Sequence, residues 1–106
     1  MKILMSDELL ELYSTGKSRL YKEVARNPIL YGGFVRAVDV MSLVDNVDEL
    51  RNISSLHYEK LKYQYSGYSS VRLSNRYVHR LLFTESEDGL KVDLIQIDDT
   101  HYGNEK

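Results

Sequence analysis

A change of period near Ile53 limits this chain more than any other feature. Before it, Leu30, Phe34, Ala37, Val38, Met41 and Val44 recur at three- and four-residue steps, the spacing of one buried helix face. After it the repeat shortens to two: Val71 and Leu73 oppose Ser70 and Arg72, and Leu81 shares a face with Phe83. Leu90 to Ile97 is β-branched and apolar enough for a central strand. Helices first and strands after predict an α+β domain, with N-terminal helices packed on one face of a C-terminal antiparallel β-sheet. The other face is left for function.

Punctuation along the chain supports this order. Ser6 can cap a short helix with Asp7 and Glu8 in its first turn, Leu9, Leu10 and Tyr13 as its apolar stripe, and Gly16 at its end. Lys17 to Arg26 reads as an irregular connection or a helical turn. Asn27-Pro28 starts the long helix, because Asn accepts from free amides and Pro gives up an N–H that had no partner there. Gly32 and Gly33 inside that helix suggest close approach of another element. Asn46 with Glu49 resembles a capping box. Leu56 to Tyr63 reads as extended up to a turn at Ser66-Gly67, and Ser86 to Gly89 makes a hairpin turn.

With 106 residues the chain is expected to form one domain spanning 1–106. The absence of cysteine excludes disulfide scaffolds, thiolate catalysis and thiolate-bound metals. The N-terminus turns acidic too early for a signal peptide and no apolar run reaches membrane-spanning length, so the expected location is cytoplasmic, with no membrane partner. Net charge is -2, but residues 51 to 80 hold 6 basic groups and 1 acidic one, while both flanks are acidic. A polyanion would be drawn to that basic middle.

Glu59 is the only acid between Arg51 and Phe83 and stands beside Lys60 and Lys62. It is either a surface residue in weak ion pairs or a carboxylate kept ionised by cations and able to accept a proton. Arg72, Arg76 and Arg80 are either a solvated strand face or a phosphate clamp, since a guanidinium offers paired donors to phosphate oxygens at any physiological pH. His101 beside Tyr102 is a weak signal alone. His57 and His79 read as ordinary strand residues, and no metal constellation, phosphate loop or nucleophile elbow is present. Tyr68 or Tyr77 could stack on a base.

Taken together these segments form a pattern. Glu-x-Leu-Lys at 59 to 62, Ser-Gly-Tyr-x-Ser-x-Arg-Leu at 66 to 73, His-Arg-Leu-Leu-Phe at 79 to 83 and His-Tyr at 101 to 102 resemble the RelE/ParE superfamily of bacterial toxins, nearest its YoeB and HigB branches. The start Glu11-Leu12-Tyr13-Ser14-Thr15-Gly16-Lys17-Ser18 is similar to HigB-type chains, so the resemblance spans nearly the whole sequence. It implies a RelE-like fold and a type II toxin that cleaves mRNA on the ribosome, held inactive by a cognate antitoxin. It also implies roles: Glu59 as general base, Arg80 as the transition-state arginine, His101 as general acid and Tyr102 as the last tyrosine of the site. Arg72 would grip the RNA backbone, with Lys60, Lys62 and Arg76 as further RNA contacts. No cofactor or metal is implied. Two other readings remain, a non-nuclease toxin of the ParE branch acting on DNA gyrase and a degenerate member that only binds a partner.

Overall fold

The computed structural model describes residues 1–99, so the expected site residues His101 and Tyr102 lie outside the described residues. Strand β1 (Lys2–Met5) comes first, followed by helices α1 (Asp7–Thr15), α2 (Lys22–Arg26) and α3 (Pro28–Leu43). Two 3₁₀ turns, Val47–Asn52 and Ser54–Leu56, lead to β2 (Glu59–Lys60). A third turn, Tyr63–Tyr65, precedes β3 (Ser69–Arg72), β4 (Arg80–Glu85) and β5 (Lys91–Asp98).

Helix boundaries follow the capping chemistry. The Ser6 hydroxyl accepts from the Leu9 amide, and Gly16 ends α1 in the left-handed conformation at φ 74°. Asn27 Oδ1 accepts from the amides of Ile29 and Leu30, with Pro28 in the first turn of α3. In α1 the stripe differs from expectation: Leu9 and Leu12 are fully buried, whereas Leu10 is 49% exposed. Asn46 caps the Val47–Asn52 turn through the Glu49 amide.

The sheet order is β1-β5-β4-β3-β2. The expectation of an antiparallel sheet is corrected here: β1 pairs parallel to β5, in register from Lys2 opposite Lys91 to Met5 opposite Leu94, so the sheet is mixed. Four residues ahead of a helix cap are too few to announce a strand by periodicity, yet Ile3 and Met5 pack on the core. The N-terminal ammonium completes the anchorage by donating to the carbonyls of Ser42 and Val44 at the end of α3.

The extended stretch expected from Leu56 to Tyr63 contracts to two paired residues. His57 and Tyr63 adopt φ of 50° and 60°, left-handed values that no strand accommodates, and they close β2 on both sides. In β5, Leu82 faces Gln96 while Phe83 faces Leu94, so Ile95 is an extra residue. The bulge lets Val92, Leu94 and Ile97 all face the core.

Helix α3 lays Leu30, Phe34, Ala37, Val38 and Met41 against Val71, Leu73, Leu81, Phe83 and Leu94. Gly33 explains how closely they meet, since a Cβ there would stand 1.9 Å from the Leu73 carbonyl oxygen. Gly32 has no such neighbour within 4 Å.

Candidate nucleic-acid interface

Strand parity decides which side chains reach the sheet face opposite the helices. In an antiparallel pair, residues directly across the ladder share a face. Glu59 faces Ser70, and Ser70 faces Leu82. One step along, Arg72 faces Arg80, and Arg80 faces Asp98. Val71, Leu81 and Ile97 between these rows turn to the helix-side core. Three of the expected site residues, Glu59, Arg72 and Arg80, are therefore brought to one face.

Two arginines directly opposed across a ladder repel unless a counter-charge is supplied. Asp98 supplies it: Arg80 Nη2 lies 3.6 Å from Asp98 Oδ2, with the two side chains 13% and 6% exposed. The Tyr65 hydroxyl donates to the other oxygen, Oδ1, at 3.2 Å and so ties the Tyr63–Tyr65 turn to the end of β5. The row therefore carries two cations and one anion. Arg72 Nη2 donates to the Tyr77 carbonyl at 3.4 Å. Among the described residues, Arg72 Nε and Ser70 Oγ are buried without a hydrogen-bond partner. Such groups are costly to leave unpaired, and both stand on the face that carries Glu59.

The remaining expected contacts disperse. Lys60 has the opposite parity to Glu59 and its Nζ sits 3.5 Å from Glu85 Oε1, on the helix side of the sheet edge. Lys62 is exposed just past β2, and Arg76 is exposed in the loop between β3 and β4.

Around Glu85 the structure assembles a cluster that no sequence motif signals. Its Oε2 accepts from the Tyr58 hydroxyl and, at 2.6 Å, from Ser69 Oγ. The Arg51 guanidinium stacks over the Tyr58 ring, 5.0 Å from its centroid. Burial alone would raise the Glu85 carboxyl, but the hydroxyls of Ser69 and Tyr58 and the Lys60 ammonium outweigh it and hold the group below its usual value. Tyr58 moves up, from burial first and from the Glu85 carboxylate second. Ser69 faces Phe83 across the β3–β4 ladder, two residues from Glu85, so the meeting follows only once the register is known.

His79 departs from the ordinary strand residue expected. It lies just before β4, is 6% exposed, and its Nε2 is 3.3 Å from Glu23 Oε1 on α2. Glu23, His79 and Asp99 place ligand-type atoms within 4.8 Å of one another. A metal-bound imidazole donates its second N–H to an acceptor, whereas His79 Nδ1 is buried without one among the described residues. The trio is read as a polar tie between α2 and the sheet. An open depression of about 780 Å³ beside α2 is lined by Lys22, Glu23, Arg26, Ile29 and Tyr77, and none of Glu59, Arg72 or Arg80 contributes to it.

No protein-family profile matches the sequence, and no curated protein matches it either. Solved structures do. The YoeB/ParE toxin from Agrobacterium tumefaciens superposes with a TM-score of 0.52 at 20% identity, over 95% of this chain and 100% of that one. The chain has the RelE/ParE toxin fold. A second match is a chain of the heterotetrameric YoeB-YefM toxin-antitoxin complex from Staphylococcus aureus, with a TM-score of 0.51, 20% identity, and coverage of 96% and 98%. Within this fold, the face bearing Glu59, Arg72 and Arg80 is the one turned away from the core that α1, α2 and α3 build with the sheet. No helix among the described residues is long and apolar enough to cross a membrane.

Proposed function

We propose that this chain is the toxin of a type II toxin-antitoxin pair, a cytoplasmic, metal-independent endoribonuclease that cleaves mRNA on the ribosome. The observation that carries the reading is the convergence of Glu59, Arg72 and Arg80 on one sheet face. By ordinary sheet spacings Glu59 and Arg80 are roughly 12 Å apart at Cα, a gap that two long side chains and one ribose-phosphate unit fill.

The roles follow from charge and reach. Glu59, on an exposed edge strand, removes the proton from a ribose 2'-hydroxyl. The 2'-oxygen attacks the adjacent phosphorus and the bond to the 5'-oxygen breaks, leaving a 2',3'-cyclic phosphate and a 5'-hydroxyl end. Arg80 stabilises the negative charge that builds on the phosphorane, and Asp98 holds its guanidinium in place beforehand. Arg72 grips the backbone with its guanidinium, whose Nε has no acceptor among the described residues. His101 protonates the departing oxygen and Tyr102 completes the site, both assigned by the sequence resemblance alone. Lys62 and Arg76 extend the basic surface, and Lys60 would touch RNA around the sheet's edge. A cognate antitoxin that lays an acidic segment over this face would compete with RNA for the same cations.

Induction of the chain alone in a bacterial host, with 5'-end mapping of a reporter message, tests the reading. Cuts inside translated codons that vanish in Glu59→Ala, Arg80→Ala and His101→Ala are expected. Growth arrest with intact message would replace the nuclease by a toxin acting on gyrase, and three fully toxic variants would overturn the mechanism.

A further inference from the structure

Strand β2 is a weak place to mount a catalytic base. It holds two residues, lies at the sheet edge, and is closed on both sides by left-handed backbone at His57 and Tyr63. A ladder that short leaves register poorly specified, and a slip by one residue would send Glu59 to the helix side.

The two neighbours of Glu59 resolve this. Tyr58 and Lys60 share the parity opposite to Glu59, and both are held by one carboxylate: Tyr58 through Oε2 and Lys60 through Oε1 of Glu85. Ser69, which faces Lys60 across the ladder, donates to the same Oε2 at 2.6 Å. The Glu85 side chain is itself only 14% exposed, and the Tyr58 ring packs on Phe83 with centroids 6.2 Å apart. With both neighbours fixed on the helix side, Glu59 has only the opposite face left. A slipped register would also bring the Glu59 carboxylate toward that of Glu85, and like charges at close range oppose it.

We infer that Glu85 is a positioning residue for the reaction: by anchoring Tyr58 and Lys60 it aims Glu59 at the RNA face. This rests on the role given to Glu59 above. Glu85 touches no substrate in this scheme and acts only through β2.

The test has two readouts. Leu61 N–H donates to the Tyr68 carbonyl at 2.9 Å and reports whether β2 stays paired, whatever the activity. In Glu85→Ala this amide is expected to exchange at least tenfold faster. Cleavage should lose roughly 10- to 100-fold in kcat with KM little changed, the scale of a misaimed catalytic group. Glu85→Gln keeps an oxygen for both Tyr58 and Ser69 and should recover most of both readouts. In a Glu59→Ala background, Glu85→Ala should cost nothing further. Unchanged Leu61 exchange, or an equal loss of rate in both backgrounds, would overturn the inference. If Glu59→Ala alone cleaves at the full rate, the proposed mechanism fails instead, and Leu61 exchange still decides whether Glu85 anchors β2.

Discussion

Asp98 sits across the β4–β5 ladder from Arg80 and holds its guanidinium at 3.6 Å, which adds a second acid, after Glu59, to the face that carries Arg72 and Arg80. A nearly buried charge pair costs more to break than it gains by forming. Asp98→Ala is expected to lower stability by about 3 kcal/mol, because it breaks the nearly buried Arg80–Asp98 ion pair and the hydrogen bond from the Tyr65 hydroxyl to Asp98. Asp98→Asn, which keeps an oxygen for Tyr65, should cost less. It should also tighten RNA binding by removing a negative charge from the face. Urea unfolding and anisotropy with a labelled RNA oligomer measure the two effects.

Adjacent glycines in α3 should respond with opposite signs. Gly33→Ala forces a methyl to within 1.9 Å of the Leu73 carbonyl, which neither backbone can absorb without shifting. A loss of about 3 kcal/mol or more is expected, at or above the upper end of ordinary overpacking. Gly32→Ala meets nothing within 4 Å and gains helix propensity, so stability should rise by about 1 kcal/mol. Thermal melts of the two variants and the wild type decide it, and equal shifts would contradict the packing described.

How far the sequence foretold these features depended on how local each one is. Caps at Ser6, Asn27 and Asn46 were legible, because capping is settled within three residues. The interior position of β5 was legible from a β-branched stretch in which Val92, Leu94, Ile95 and Ile97 are apolar. Strand β1 was not, since its partner lies nearly ninety positions away and four residues carry little periodic signal. Period-2 alternation placed Arg72 and Arg80 away from the core correctly. Lys60 fell to the other face from Glu59 by the same rule. Its parity sets it at the sheet's edge beside Glu85, a pairing its charge alone did not foretell. Leu10 misled for a similar reason, as three apolar residues near one helix start allow more than one stripe and only packing selects Leu12.

Acid should weaken the β2 anchor before it unfolds the rest. Glu85 has its folded-state pKa below the ordinary value of 4.5, so the carboxylate stabilises the fold fully above that pH, and the contribution is lost as pH falls through the lower folded value. The wild type and Glu85→Gln should therefore differ most near neutral pH and converge only as the pH falls through the depressed folded-state value, once both carry a neutral group. Urea midpoints from pH 3 to 7 give the comparison. A gap that stays constant across this range would show that the ionised form of Glu85 adds nothing.

Arg72 offers the cleanest separation of charge from shape on the candidate interface. It is half-buried on β3, its Nη2 bonds only weakly to the Tyr77 carbonyl at 3.4 Å, and its Nε has no acceptor among the described residues. Removing the side chain thus forfeits little protein bonding. If the guanidinium neutralises one phosphate, Arg72→Ala should weaken RNA binding across all sequences alike. The slope of log K against log salt should become shallower by about 0.7, the counterion release of one single-strand contact. Arg36→Ala serves as the control, since Arg36 lies on α3 and bonds to Ser55, remote from the face. Its slope should match the wild type. Equal slopes for all three proteins would remove Arg72 from the interface, whereas equal losses in both variants would reduce the basic face to general charge attraction.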